Sequence, residues 1–177
     1  MGDKAEKNDL TAHTNADWRT AHGIWQNIQD STIVKVLAQF RAYVSSAQNN
    51  LTLNAYVKVV LDGESYDRGA CFDAVTDQDF TAPRAGLYHF DGQVQISTAQ
   101  VNKDYYIYIY VNGSAVSSAY FASNNDGDNV TLRISDTIAL ALNDVVTLYV
   151  KSGQPDSTAD IVTGSANSFF TGHIIAL

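Results

Sequence analysis

Thiols, prolines and positive charge are all scarce in this chain, and each scarcity removes a class of function. Cys71 is the single cysteine in 177 residues, so no disulfide forms within the chain and the fold must rest on packing or association. A nucleophilic Cys71 needs a positioned base, and no neighbour in the sequence supplies one; a buried, inert thiol is expected. Lysine and arginine number 11 against 19 aspartates and glutamates, a net charge of −8, and the basic residues form no run. A nucleic-acid partner is therefore not expected. No apolar stretch reaches the roughly 18 residues that a membrane span needs, and no membrane partner is expected. The opening Met1-Gly2-Asp3-Lys4-Ala5-Glu6 lacks the apolar core of a secretory signal, and Glu6 stands where a myristoylation site wants Ser or Thr. The glycosylation sequons at Asn50, Asn112 and Asn129 are then read as chance.

Catalytic motifs are missing too. No nucleophile elbow, phosphate-binding loop or dinucleotide fingerprint is present. His13, His22, His89 and His173 are far apart in sequence and make no metal-binding spacing. Carboxylates such as Asp77 and Asp79 occur in pairs, but nothing places them across a cleft. The expectation is a protein that is not an enzyme and carries no cofactor. Asn124-Asn125-Asp126-Gly127-Asp128-Asn129 reads as an ordinary hairpin loop without the EF-hand pattern, although Asp126 and Asp128 leave a calcium site open.

What is present is apolar and uncharged. Apolar residues make up 45% and charged residues 17%, against a usual charged share of about 25%. A polar but uncharged exterior suits contact with partners or sister subunits, and a Ser/Thr/Asn-rich surface accounts for it equally well. Residues 1 to 33 are polar and irregular and read as an N-terminal anchoring arm. Within it Asp17 can cap a brief helix, and Trp18, Ala21, Trp25 and Ile28 follow at helical spacing. Both tryptophans of the protein thus share one face of a helix too short to stand alone in water. That face docks either on its own domain or on a sister subunit or larger scaffold.

Residues 34–177 are β-patterned. Val34, Val36, Ala38, Phe40, Ala42 and Val44 alternate with mostly polar neighbours, as in a half-buried strand. Further strands are expected at Tyr56–Leu61, Phe80–Ala82, Leu87–Ile96, Tyr105–Val111, Val116–Phe121, Val130–Ile134, Ile138–Leu142, Val145–Val150 and Phe169–Leu177. About ten short antiparallel strands with turns between them argue for an all-β sandwich or jelly roll. Asn112-Gly113 is a type I′ hairpin signal. The strand before it is apolar or aromatic on both faces, with Tyr106, Tyr108 and Tyr110 on one side and Tyr105, Ile107, Ile109 and Val111 on the other. One face is assigned to the core and the tyrosine face to a subunit interface, because aromatics with a polar tip suit interfaces; a central strand covered by loops is the alternative.

The stretch from Cys71 to Phe90 contains a Phe72-Asp73 pair and then Phe80-x-x-Pro83-x-x-Gly86-x-Tyr88-x-Phe90. Pro83 would stop one strand, Gly86 would permit a tight turn, and Tyr88 and Phe90 would point the same way from the next strand. With Phe40-Arg41-Ala42-Tyr43, Val111-Asn112-Gly113, Leu142-Asn143-Asp144-Val145 and the closing Phe169-Phe170-Thr171-Gly172, this pattern resembles the C1q/TNF-like jelly-roll family, with Asn143 where that family usually has glycine. The resemblance covers about 140 residues. It implies a homotrimer and a recognition or scaffolding role rather than catalysis. There is no Gly-X-Y stalk, which points to the C1q-like knobs of phage and bacterial proteins. On that resemblance the expected protein is a virion structural component, either a capsid cement or decoration protein or a short tail-fibre knob. Its arm would bind a major capsid or tail protein. The alternative is a glycan-binding head on a virion or bacterial surface, reading ligands through the loops Ser123–Asn129 and Ser152–Ser165.

Overall fold

The computed structural model describes residues 38–49, 55–123, 128–152 and 159–176. The expected arm with Trp18, Ala21, Trp25 and Ile28, and residues 124–127 and 153–158 of the two expected ligand loops, lie outside the described residues. Among the described residues there are twelve strands and no helix. They are β1 (Gln39–Tyr43), β2 (Val57–Lys58), β3 (Gly63–Arg68), β4 (Phe72–Asp73), β5 (Asp79–Thr81), β6 (Gly86–Ala99), β7 (Lys103–Val111), β8 (Ser114–Ser123), β9 (Asp128–Leu140), β10 (Val145–Ser152), β11 (Asp160–Ile161) and β12 (Phe169–Ala176).

All strand pairs are antiparallel. One sheet runs β11-β6-β12-β1-β3, with β9 along the other side of β6; the second runs β4-β5-β10-β7-β8, with β2 on β10. Side-chain alternation decides what each strand buries. In β1 the inward residues are Phe40 and Ala42; in β7 they are Tyr105, Ile107 and Ile109, all fully buried. Two sheets of this kind hide their apolar faces only against each other, and the core lies between them.

At its centre the Phe40 ring, carried by the first sheet, stacks on Phe72 and Phe80 of the second, with centroids 4.7 and 5.3 Å away. Phe170 meets Phe40 edge-on at 5.4 Å and stacks on Phe90 at 5.5 Å. Burying each such ring is worth about 1.5–3 kcal/mol, so this cluster holds the two sheets together where a disulfide is impossible.

Turns complete the frame. Asn112 and Gly113 have φ of 50° and 78°, the two positive values a type I′ hairpin requires. Asn143 has φ of 69°, which explains why a family with this turn favours glycine there. The two turns are tied together: Asn112 Nδ2 donates to Asp144 Oδ1 at 2.9 Å, and Val145 N donates to Asn112 Oδ1 at 2.9 Å. Asp144 also accepts from Ala141 N at 2.7 Å, and these donors hold its carboxyl below the usual range, the Asn112 amide foremost.

Four expectations need correction. The strands expected at Val130–Ile134 and Ile138–Leu142 are one continuous strand, β9. The segment Tyr56–Leu61 forms ladder pairs only at Val57 and Lys58, with Val59 N donating to the Leu148 carbonyl of β10 at 2.9 Å just beyond them. β3 was not expected at all: Gly-Glu-Ser-Tyr-Asp-Arg has no apolar alternation, since it is an edge strand that is largely exposed. Gly86 is not in a left-handed turn; it opens β6, and a side chain there would come within 2.7 Å of the Ala176 carbonyl oxygen.

Candidate functional site

The second sheet turns an aromatic face outward. Alternation along β7 sends Tyr106, Tyr108 and Tyr110 away from the core. Register brings Tyr120 of β8 opposite Tyr106, and Tyr149 of β10 opposite Tyr108. Tyr56 lies across Tyr108 and Tyr110, with ring centroids 5.1 and 5.8 Å away. Tyr106 and Tyr108 stack at 6.1 Å, Tyr106 and Tyr120 lie 5.9 Å apart, and Tyr110 packs on Tyr149 at 4.4 Å. Six of the ten tyrosines thus form one connected patch. Lys151 caps its margin, with Nζ 4.8 Å from the Tyr56 ring centre. The three β7 tyrosines are half-buried by their neighbours, while Tyr56 and Tyr120 remain 49% and 69% exposed. Burial first, then Tyr56, pushes the Tyr108 phenol up to about 12. The patch continues onto β8, where Val116 is exposed as well.

The outward face of the first sheet is polar. His89 and His173, distant in sequence, are cross-strand partners with rings 5.6 Å apart. His89 Nε2 lies 3.2 Å from Asp91 Oδ2, and its Nδ1 lies 3.0 Å from Thr137 Oγ1. Among the described residues no group of three or more potential metal ligands forms. Asp126 lies outside the described residues, as does the side chain of Asp128. Lys58 joins Asp77 and Asp79: its Nζ donates to the Asp77 carbonyl and lies 4.0 Å from Asp79 Oδ2.

Cys71 is buried. Its Sγ donates to Asp67 Oδ1 at 3.2 Å, and the same carboxylate accepts from the backbone N–H groups of Cys71 and Phe72, each at 3.1 Å. Burial, reinforced by the Asp67 charge, raises the thiol pKa far above its ordinary value. A thiol reagent at pH 8 is therefore expected to leave Cys71 untouched in the native protein and to label it fully in denaturant. Rapid native labelling would contradict this placement.

The family model for the C1q domain matches residues 40–175. The chain belongs to the C1q domain family. Solved structures with the same fold include murine APRIL at pH 5.0, with 12% identity and a TM-score of 0.59, covering 78% of this chain and 99% of that one. Eiger TNF from S. frugiperda shares 8% identity at a TM-score of 0.61, covering 79% and 93%. The globular domain of zebrafish complement 1qA shares 16% at 0.55, covering 78% and 97%. At such identities the likeness is one of fold. No curated protein matches the chain.

Within this C1q domain the residues of the sequence pattern converge on the core. Phe72, Phe80, Tyr88, Phe90 and Phe170 are all buried, and Tyr88 donates its hydroxyl to the Arg84 carbonyl at 2.9 Å. Pro83 lies in the bend after β5. A Cβ on Gly172 would sit 2.5 Å from Phe90 Cδ1 and 2.8 Å from Phe40 Cε1, so only glycine lets β12 pass under those rings. Sequence reasoning missed Asp67 and the pairing of the two histidines. Asp67 carries no motif, and the histidines meet only through the register of β6 with β12.

Proposed function

We propose that this C1q domain is the head of a non-enzymatic homotrimer whose copies meet through the tyrosine face of β7 and the adjoining β8 edge. The carrying observation is that face. Six connected tyrosines with exposed Val116 beside them form an uncharged patch of the composition that protein interfaces select. A threefold ring is heterologous, so each copy presents this patch to a different surface of the next one.

The proposal extends to a virion. The protein would serve as a capsid cement or decoration protein, or as a short tail-fibre knob, joined to a major capsid or tail protein by residues 1–33. The support is the helical spacing of Trp18, Ala21, Trp25 and Ile28. An arm and a trimer that bury apolar area only in the assembled particle stabilise that particle by mass action. Trp18→Ala combined with Trp25→Ala is expected to leave the oligomer intact and to abolish incorporation, measured by co-sedimentation with particles. Wild-type incorporation of the double variant would refute the anchoring role.

A further inference from the structure

Tyr110 of β7 and Tyr149 of β10 approach each other more closely than the other tyrosines of the second sheet's outer face. Their ring centroids lie 4.4 Å apart with planes inclined by 37°, at the close limit of ring contact. The other tyrosine pairs of the patch are separated by 5.1, 5.8, 5.9, 6.1 and 6.2 Å. Register explains the approach. Tyr110 stands opposite Thr147 and Tyr108 opposite Tyr149, so Tyr149 is the diagonal neighbour of Tyr110 on one face of the ladder.

The pair is half-buried, but the ends of the patch are open. Tyr110 and Tyr149 are partly covered by their neighbours, whereas Tyr56 and Tyr120 are 49% and 69% exposed. From Tyr120 the ring contacts run through Tyr106 and Tyr108 to Tyr110 and then Tyr149. From Tyr56 the path is shorter, because its ring meets Tyr110 directly and it hydrogen-bonds with the hydroxyls of Tyr108 and Tyr110. An oxidant that reaches only the open ends therefore takes electrons from rings in contact with the pair. A disulfide is excluded in a chain whose single cysteine is Cys71, and two phenol rings in contact offer a different covalent cross-link.

We propose that Tyr110 and Tyr149 form an oxidative cross-linking site, joined ring to ring by hydrogen peroxide acting through a one-electron oxidant of the haem peroxidase class. Each phenol gives up one electron and one proton. The unpaired spin left behind is shared between the oxygen and the ring carbons beside it. Two such carbons, one from each ring, form a carbon–carbon bond; the hydrogen each carried moves to its own oxygen, and both phenols are restored. The two electrons and two protons reduce one peroxide to two waters, so two tyrosines and one peroxide give one dityrosine and two waters. The product staples β7 to β10. It lies within one chain, so it stands whether or not copies associate through this face.

The test exposes the full chain to a haem peroxidase and hydrogen peroxide, then separates it under denaturing conditions and digests the band at protomer mass. Mass spectrometry is expected to find the peptides of Tyr110 and Tyr149 linked with the loss of two hydrogen atoms, together with dityrosine fluorescence. Tyr110→Phe and Tyr149→Phe each keep the ring and its packing, and each is expected to lose that linked pair. Tyr66→Phe, at an exposed residue on the edge strand β3 of the other sheet, is expected to leave it unchanged. Four results would overturn the proposal: no linked pair in the wild-type chain, a dityrosine yield undiminished in either patch variant, a yield that falls equally in Tyr66→Phe, or linkage found only between chains. Native oligomer mass, measured on the same samples before oxidation, reports separately on self-association.

Discussion

Truncating Phe40 to alanine is expected to cost about 3–5 kcal/mol of stability, the usual price of removing a fully buried phenylalanine. At this domain size that lowers the thermal midpoint by about 6–20 °C. The magnitude follows from position. Phe40 is 0% exposed and touches rings from both sheets: Phe72 and Phe80 on one side, Phe170 and Phe90 on the other. Removing it leaves a void that neither sheet can close without shifting against the other. Domains of this kind hold only about 5–15 kcal/mol in total, so a large share is lost at one site. Gly172→Ala tests the same cluster from the opposite side. Its new methyl group meets Phe90 and Phe40, an overpacking expected to cost about 1–3 kcal/mol. Combined, the two changes should cost less than their sum by about 0.5 kcal/mol or more, because the alanine at 40 vacates part of the space the new methyl needs. A midpoint shift below about 2 °C for Phe40→Ala would show that the cluster is not what joins the sheets.

The sandwich was largely legible in the sequence, because its strands are half-buried and period-two burial leaves an apolar alternation. Phe40 and Ala42, Tyr88 and Phe90, and the Asn112-Gly113 turn are all of this kind. Strands that bury little leave no such trace, which is why Gly63–Arg68 went unread. The β7 strand is a different case. Its two faces read alike, as tyrosines and isoleucines, and only the position of the first sheet opposite it shows that Tyr105, Ile107 and Ile109 point inward. The placement of residues across the first sheet was illegible for a third reason. Arg41, Asp91, Arg133 and Phe169 are spread over most of the chain, and only the order β9-β6-β12-β1 sets them side by side. The same holds for the neighbouring rings of His89 and His173.

Replacing Tyr106, Tyr108 and Tyr110 together with serine is expected to convert the oligomer into a folded protomer. The wild-type chain should sediment at three times the 19.3 kDa protomer mass, and the triple variant at one. The protomer should survive because these side chains point away from the core, whose β7 contribution is Tyr105, Ile107 and Ile109. The oligomer should not, because buried interface tyrosines are common hot spots worth about 2 kcal/mol or more each when truncated. Three such losses, even counted well below additivity, exceed about 4 kcal/mol and weaken association roughly a thousandfold. Far-UV circular dichroism separates this outcome from unfolding: the variant should keep its β spectrum at a third of the mass. The serine at 108 also removes the phenol whose ionisation is held up to about 12. Alkaline titration of the remaining tyrosines should therefore lose a delayed component. A triple variant that keeps the full oligomer mass would free the tyrosine face from self-association and leave it as a surface for a different partner. A wild-type chain that runs as a 19.3 kDa monomer at micromolar concentration would remove the trimer altogether.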